Sequence, residues 1–494
     1  MTVTERSREA AEQHPRPVPP RARRAARTLR QPGVLALIVA LAASFVIYYP
    51  AFTAPFFGDD YVYLWAVRSH STWDYVKVSV EPISRDPYLL FTGNFYRPLY
   101  FLAFPVLDWA FGDRTLGYHL VLFGSHLAAV ALTWLLALRL TGRALVAGVA
   151  AVAFSLHPSA IEAVAWISSL NSVALPLMLG AWLVFIPAVR AEDRRKRLAL
   201  LLLTGLLAAA SLGFRETAVG LIGAIGAWYL LVEKRHDLLD WRTYPPLLPF
   251  VVAVGAFFVL RTRLFTEPYA DPFVYHWGDQ SPGNIAFLVR QGPTPFDTTA
   301  GGLKSLIGVG AGTLTVAIFI GAVITRRWLL IALVLGILAA ILPFGPFTLA
   351  VSQRYFYFAA ALQALALGVL VAEVAGVARQ RQWPAWAPAA LAGLAALGSV
   401  LFMVDGNAGV RTFNKNSPEV HQAFVDGMRA TYAELPEGGT FYAVDPPLIL
   451  AIFDAYVLDV TVRMYYPGVG QVAVVYSSGP LPELGPNDRL FFVQ

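Results

Sequence analysis

Two adjacent carboxylates, Asp59 and Asp60, stand in the segment GDDYVYLW, a few residues beyond the first long apolar block of the chain. Acids placed there lie close to a bilayer surface, where a lipid-linked substrate presents its head group. One carboxylate can take the proton of an acceptor hydroxyl as that oxygen attacks an anomeric carbon, the step an inverting sugar transfer needs. The second can orient the acceptor, or help hold a divalent cation (Mg²⁺ or Mn²⁺) that neutralises a departing phosphate. The plain alternative is a pair of solvated loop acids.

Other candidates fall at matching points of the chain. NFYRPLYFLAFPVLDWAFG places Arg97 just before a short apolar helix, and GYHLVLFGSH places His119 and His126 seven residues apart on one face of a span. A histidine within a membrane helix is more often a satisfied interhelical hydrogen bond than a ligand. FSLHPSAIEAVAWISSLNS carries His157, Glu162 and Trp166, with Asn171 expected to cap the helix that follows. FRET supplies Arg215 and Glu216, which can pair with one another, and SQRYFYF supplies Arg354 and Tyr355. Guanidinium forks match phosphate oxygens bidentately, so Arg97, Arg215 and Arg354, with Arg261 and Arg263 near the same depth, form a candidate phosphate-binding set. Singly, each is better read as a snorkelling or paired arginine. Their coincidence with the two aspartates at one level gives the set its weight.

Those levels follow from the elements. The chain has 494 residues, of which 57% are hydrophobic and 14% charged, with mean hydropathy +0.56. A soluble domain carries roughly a quarter charged residues, so this composition indicates a membrane protein. The formal charge of +6 comes from a basic N-terminus and short basic loops and implies no nucleic-acid partner. With no cysteine, disulfides, thiolate zinc sites and cysteine nucleophiles are excluded.

Residues 1–32 read as a disordered basic cytoplasmic arm. A span needs about 20 mostly apolar residues, which gives eleven candidates: 33–52, 117–138, 144–157, 172–189, 198–213, 217–232, 244–260, 305–325, 328–347, 355–376 and 385–404. Leu99–Phe111 is too short to cross and reads as interfacial or re-entrant. The connections RLTGR, RAEDRRKR, EKRHDLLDWR, TRRW and ARQRQ alternate and are all basic. The positive-inside rule puts them in the cytoplasm, with loops 53–116 and 261–304 and the C-terminus outside. Residues 405–494 read as a small α/β unit. It has an amphipathic helix bearing Val420, Phe424, Met428 and Tyr432, and strands at TFYAV, QVAVVYS and RLFFV. The expected fold is an all-α polytopic membrane protein of about eleven spans with that small extracytoplasmic domain, in a bacterial inner membrane.

The segments GDDYVYLW, YRPLYFLAFPVLDWAFG, GYHLVLFGSH, FSLHPSAIEAVAWIS, FRET and SQRYFYF together resemble the GT-C superfamily of membrane glycosyltransferases. They are most similar to bacterial relatives of the protein O-mannosyltransferases and of the transmembrane-and-TPR O-mannosyltransferases. The resemblance implies a first outer loop bearing the catalytic carboxylate, with Asp59 the base and Asp60 beside it. It also implies Arg354 and Tyr355 at the carrier phosphate and Glu216 as a site residue. Relatives carry an Arg-x-Asp motif where this chain reads SSLNS, and no TPR repeats follow the bundle. The implied activity is transfer of a hexose or pentose from a polyprenyl-phosphate carrier to a protein or glycan hydroxyl at the outer membrane face. A transporter or lipid flippase would instead hold its ionisable residues near the midplane on broken helices. A non-catalytic glycan-binding relative is the third reading.

Overall fold

The computed structural model describes residues 32–80, 96–264, 278–291, 320–346, 352–384, 386–447 and 456–492, together with 313, 316 and 317. In hydrocarbon a backbone must bond to itself, so the apolar blocks fold as helices. The first is α1 (Pro32–Tyr48), which passes through a 3-10 turn at Tyr49–Thr53 to α2 (Asp59–Ser69) and α3 (Thr72–Val80). Then come α4 (Pro98–Phe111), α5 (Thr115–Thr141), α6 (Ala144–Ser155), the short α7 (Ala160–Ala165), α8 (Asn171–Arg190) and α9 (Arg194–Phe214). The bundle continues through α10 (Ala218–Trp228), α11 (Leu248–Leu264), α12 (Gln280–Gln291), α13 (Trp328–Ile341), α14 (Tyr357–Gln380) and α15 (Trp386–Asn416).

Among the described residues, six helical stretches are long and apolar enough to cross a membrane: Gly33–Thr53, Thr115–Thr141, Asn171–Arg190, Arg194–Phe214, Trp241–Arg261 and Arg354–Gln380. The chain is therefore a multi-pass membrane protein. Four shorter apolar helices stand among them, one being α4, whose Trp109 is 88% exposed. The expected span 305–325 lies mostly outside the described residues. Small side chains let the helices close up: Ala40, Ala43, Ala147, Ala150, Ala151 and Ala359–Ala361 are all buried in one core. At Gly220 a Cβ would come within 2.3 Å of Ala340 Cα, so α10 and α13 meet there on backbone alone.

α15 continues twelve residues past the expected end at Val404, to Asn416. It leads into α16 (Pro418–Thr431), β1 (Thr440–Val444), α17 (Tyr456–Tyr465), β2 (Gln471–Val475) and β3 (Arg489–Phe492). The sheet is parallel, in the order β2-β1-β3, with Phe441 opposite Val472 and Arg489. Phe424, Met428, Val457 and Leu458 share a core with Tyr61 and Tyr63 of α2 and Phe101 and Phe104 of α4. The C-terminal unit thus rests on the first loop. At the opposite end of the bundle Glu373 pairs with both Arg143 (3.4 Å) and Arg327 (3.1 Å).

Candidate active site

The turn Phe57–Gly58–Asp59–Asp60 is closed by the Asp60 N–H donating to the Phe57 carbonyl at 3.1 Å. Gly58 has φ 56° and ψ −128°, the first central position of a type II′ turn, which a side chain would strain. This turn starts α2, so both carboxylates stand in its first turn, where the helix dipole favours negative charge.

The two acids have different surroundings. Asp60 is 1% exposed, and its oxygens accept the Phe57 N–H (3.1 Å) and the Ser168 N–H (2.7 Å). Burial raises its carboxyl to about 7 against those hydrogen bonds, and the neighbouring Asp59 adds to the rise. Asp59 is partly exposed, and no described residue donates a hydrogen bond to its side chain. Burial raises it to about 6, held back by the charge of Arg354. Asp60 closes the turn, and the Asp59 carboxylate is clear of protein donors.

Arginines surround this turn. Arg354, in a 3-10 turn ahead of α14, donates to Glu162 Oε2 at 3.1 Å and to the Tyr355 hydroxyl at 3.3 Å. Its guanidinium lies 4.3 Å over the Trp166 ring, on which Phe57 also stacks. Arg97, at the start of α4, grips Glu216 through Nε (2.6 Å) and Nη2 (2.5 Å). Burial raises Glu216, but Arg97 outweighs it and holds the carboxyl at about 2. The expected Arg215–Glu216 pair is therefore replaced by Arg97–Glu216.

Arg215 donates through Nη2 to the Ser169 carbonyl at 3.1 Å, while its buried Nε lacks a protein partner. Burial and the nearby Arg97 pull it down to about 10. Trp166 Nε1, Ser169 Oγ and Ser172 Oγ are also buried without a protein partner. Buried polar atoms of this kind are ones that a water, an ion or a polar ligand can satisfy.

Tyr63 and Tyr100 link the two arginine groups to the acids. Tyr63 stands one helical turn after Asp59 and meets Tyr100 edge-on at 5.2 Å, and the Tyr100 hydroxyl donates to the Ser168 carbonyl. Neither tyrosine was singled out by sequence; the i, i+4 spacing of Asp59 and Tyr63 on α2 was the available signal. His421 was also missed, and its sequence neighbourhood gives no sign of it. It lies in α16, 363 positions from the Gly58 amide that it binds.

Other expected residues take different places. His157 joins the same end of the bundle: its Nδ1 faces the Ser159 hydroxyl at 2.8 Å and its ring stacks on Phe356. His126 stands apart in the bundle core, contacting the Tyr357 hydroxyl (2.9 Å) and Ser44 (3.4 Å), and so ties α1, α5 and α14 together. Asn171 is the first residue of α8 rather than its cap, and its amide reaches the Arg354 carbonyl at 3.5 Å. Arg261 lies near the end of α11, and the side chain of Arg263 falls outside the described residues.

Each Asp60 oxygen accepts one backbone N–H, the Asp59 oxygens accept none, and no group of three His, Cys, Asp or Glu side chains placed to hold a metal ion occurs among the described residues.

Between α9 and α11 an apolar groove of about 590 Å³ runs along the bundle surface. Leu198 and Pro245 line one end, and Pro98, Leu212 and Gly213 line the other, next to Arg97 and Arg215. The groove is lined by aliphatic, aromatic, glycine and proline residues and leads to the arginine cluster.

No family model and no curated protein matches the chain. Among solved structures it is similar to the crystal structure of ArnT from Cupriavidus metallidurans bound to undecaprenyl phosphate. The TM-score is 0.48 at 14% identity, with 89% of each chain covered, a likeness too loose to transfer any residue or ligand.

Proposed function

We infer that the protein is an inverting glycosyltransferase that moves a sugar from a polyprenyl-phosphate carrier to an acceptor hydroxyl at the outer membrane face. One observation carries this reading: an unclaimed carboxylate, Asp59, feels the charge of Arg354 and shares Tyr63 as a neighbour with Arg97 and Arg215, beside which Pro98 and Gly213 line an apolar groove. The isoprenoid chain lies in the groove, and the carrier phosphate meets Arg215, with Arg97 and Arg354 behind it. Asp59 takes the proton of the acceptor hydroxyl while the hydroxyl oxygen bonds to the anomeric carbon from the face opposite the phosphate. The carbon–oxygen bond to the phosphate breaks, and its electron pair leaves with the polyprenyl phosphate. A desolvated carboxylate near pH 6 is a stronger base than a free aspartate, which suits this step. The developing phosphate charge is met by arginine.

The chain crosses the bacterial inner membrane about eleven times, with its basic loops and N-terminus in the cytoplasm and its C-terminal unit outside. The sugar is a hexose or pentose and the acceptor a protein or glycan.

The test is Asp59→Asn, an isosteric change, in proteoliposomes supplied with polyprenyl-phosphate hexoses and pentoses and a membrane-extract acceptor. Release of polyprenyl phosphate should fall roughly 10²–10⁴-fold with thermal stability unchanged. Wild-type release by Asp59→Asn would remove Asp59 from the chemistry.

A further inference from the structure

The C-terminal α/β unit reaches the aspartate turn through one buried histidine. His421, on α16, is fully buried, and its Nδ1 accepts the Gly58 N–H at 3.0 Å. Gly58 is the residue immediately before Asp59. The Nε2 of the same ring lies 3.1 Å from Thr461 Oγ1 on α17. Thr461 spends its own proton on the Val457 carbonyl at 2.7 Å, so it can only accept from the ring. The histidine is therefore neutral, with the proton on Nε2 and a free lone pair on Nδ1 aimed at Gly58. Burial, which lowers its pKa to about 3, keeps it in that form.

The surrounding contacts point the same way. Tyr61 stacks on the His421 ring at 4.6 Å with only 10° between planes, and its hydroxyl lies 3.3 Å from that of Tyr465 on α17. Phe413, near the end of α15, meets Phe57 edge-on at 5.4 Å. The end of α15 and the two helices that follow the membrane bundle thus converge on Phe57, Gly58 and Tyr61, which bracket the two acids.

We propose that His421 is a positioning residue: through the Gly58 amide it fixes the turn that aims Asp59, making the C-terminal unit part of the active site. The histidine touches no substrate and acts only through that turn. This inference rests on Asp59 as the base.

Three variants in the full chain test it, with polyprenyl-phosphate release as the readout and Asp59→Asn as the control. His421→Ala should lower kcat about 10- to 100-fold, as small misplacements of a catalytic group do, while KM for the donor stays within about twofold because the groove and arginines are untouched. Amide exchange across residues 55–62 should rise with the membrane helices unchanged. His421→Asn puts an acceptor where Nδ1 was and should recover most of kcat; His421→Gln puts it one bond further out and should not. Wild-type kcat in His421→Ala overturns the proposal, as does equal activity of the Asn and Gln variants. That comparison still decides the matter if the alanine variant fails to fold. If Asp59→Asn is active, the base assignment fails first; if it is inactive while His421→Ala is normal, only the positioning role falls.

Discussion

Asp59 and Asp60 are neighbours in sequence with different surroundings, and the proposed division of tasks between them comes from which oxygens the backbone has claimed. Asp60 accepts two N–H groups in a buried site. Asp60→Asn would aim an amide N–H₂ at one of those donors, leaving it unsatisfied at a cost of about 1–3 kcal/mol. We expect Asp60→Asn to lower the melting temperature, while Asp59→Asn leaves it unchanged; thermal unfolding in detergent checks both. Transfer by the wild-type protein should fall as pH drops through about 6, because protonated Asp59 cannot accept the hydroxyl proton. Asp60, titrating beside it, should broaden that limb of the pH profile. The sequence exposed the Asp pair and its place after the first apolar block, because an acid pair at a membrane surface stands out in composition. It could not distinguish the two acids, since the distinction depends on the Ser168 amide, 108 positions away.

At the scale of elements, the Arg97–Glu216 pair joins the start of α4 to the α9–α10 junction across 119 positions. Both partners are largely buried, so removing one charge strands the other. Glu216→Gln should therefore destabilise the protein by about 3–5 kcal/mol, all the more because Arg97 then faces Arg215 alone; unfolding in denaturant measures this. The shortness of α4 was legible from apolar length, and the helix and three strands of the tail from their periodicity. The partner of Glu216 was not, because adjacency in FRET suggested Arg215 and only the packing of α4 against α9 brings Arg97 close. The groove was hidden for a related reason: the leucines of α9 read as an ordinary span, and a furrow exists only once α11 lies beside it. Ala209→Trp would fill that furrow. It should raise KM for long-chain donors about tenfold or more, while donors with a short isoprenoid tail, which do not occupy its length, stay near the wild-type value; steady-state kinetics on both tail lengths checks it.

Across the whole molecule, polarity is segregated by end. Acids, arginines and unpartnered polar atoms gather where α7, α8 and α14 begin, and Glu373 with its two arginines closes the other end. That arrangement suits a reaction at one surface more than passage through the midplane. Alternation of basic loops made the sorting of segments to two ends legible without any structure. The docking of the C-terminal unit on α2 was not legible, since its amphipathic helix shows only that some surface covers Phe424 and Met428, not which one.

The hydrogen bond between Gly58 and His421 also sets an order of events in the making of the protein. At a ribosomal rate of roughly 5–20 residues per second, the 363 intervening positions take roughly 20 to 70 seconds to synthesise. For most of that interval the aspartate turn exists without the helix that holds it, because α16 is made last among the elements in contact with it before α17. On the proposed reading, a nascent chain holds its membrane helices before it has a steadied base, and competence arrives only once α16, Pro418–Thr431, has been made and docked.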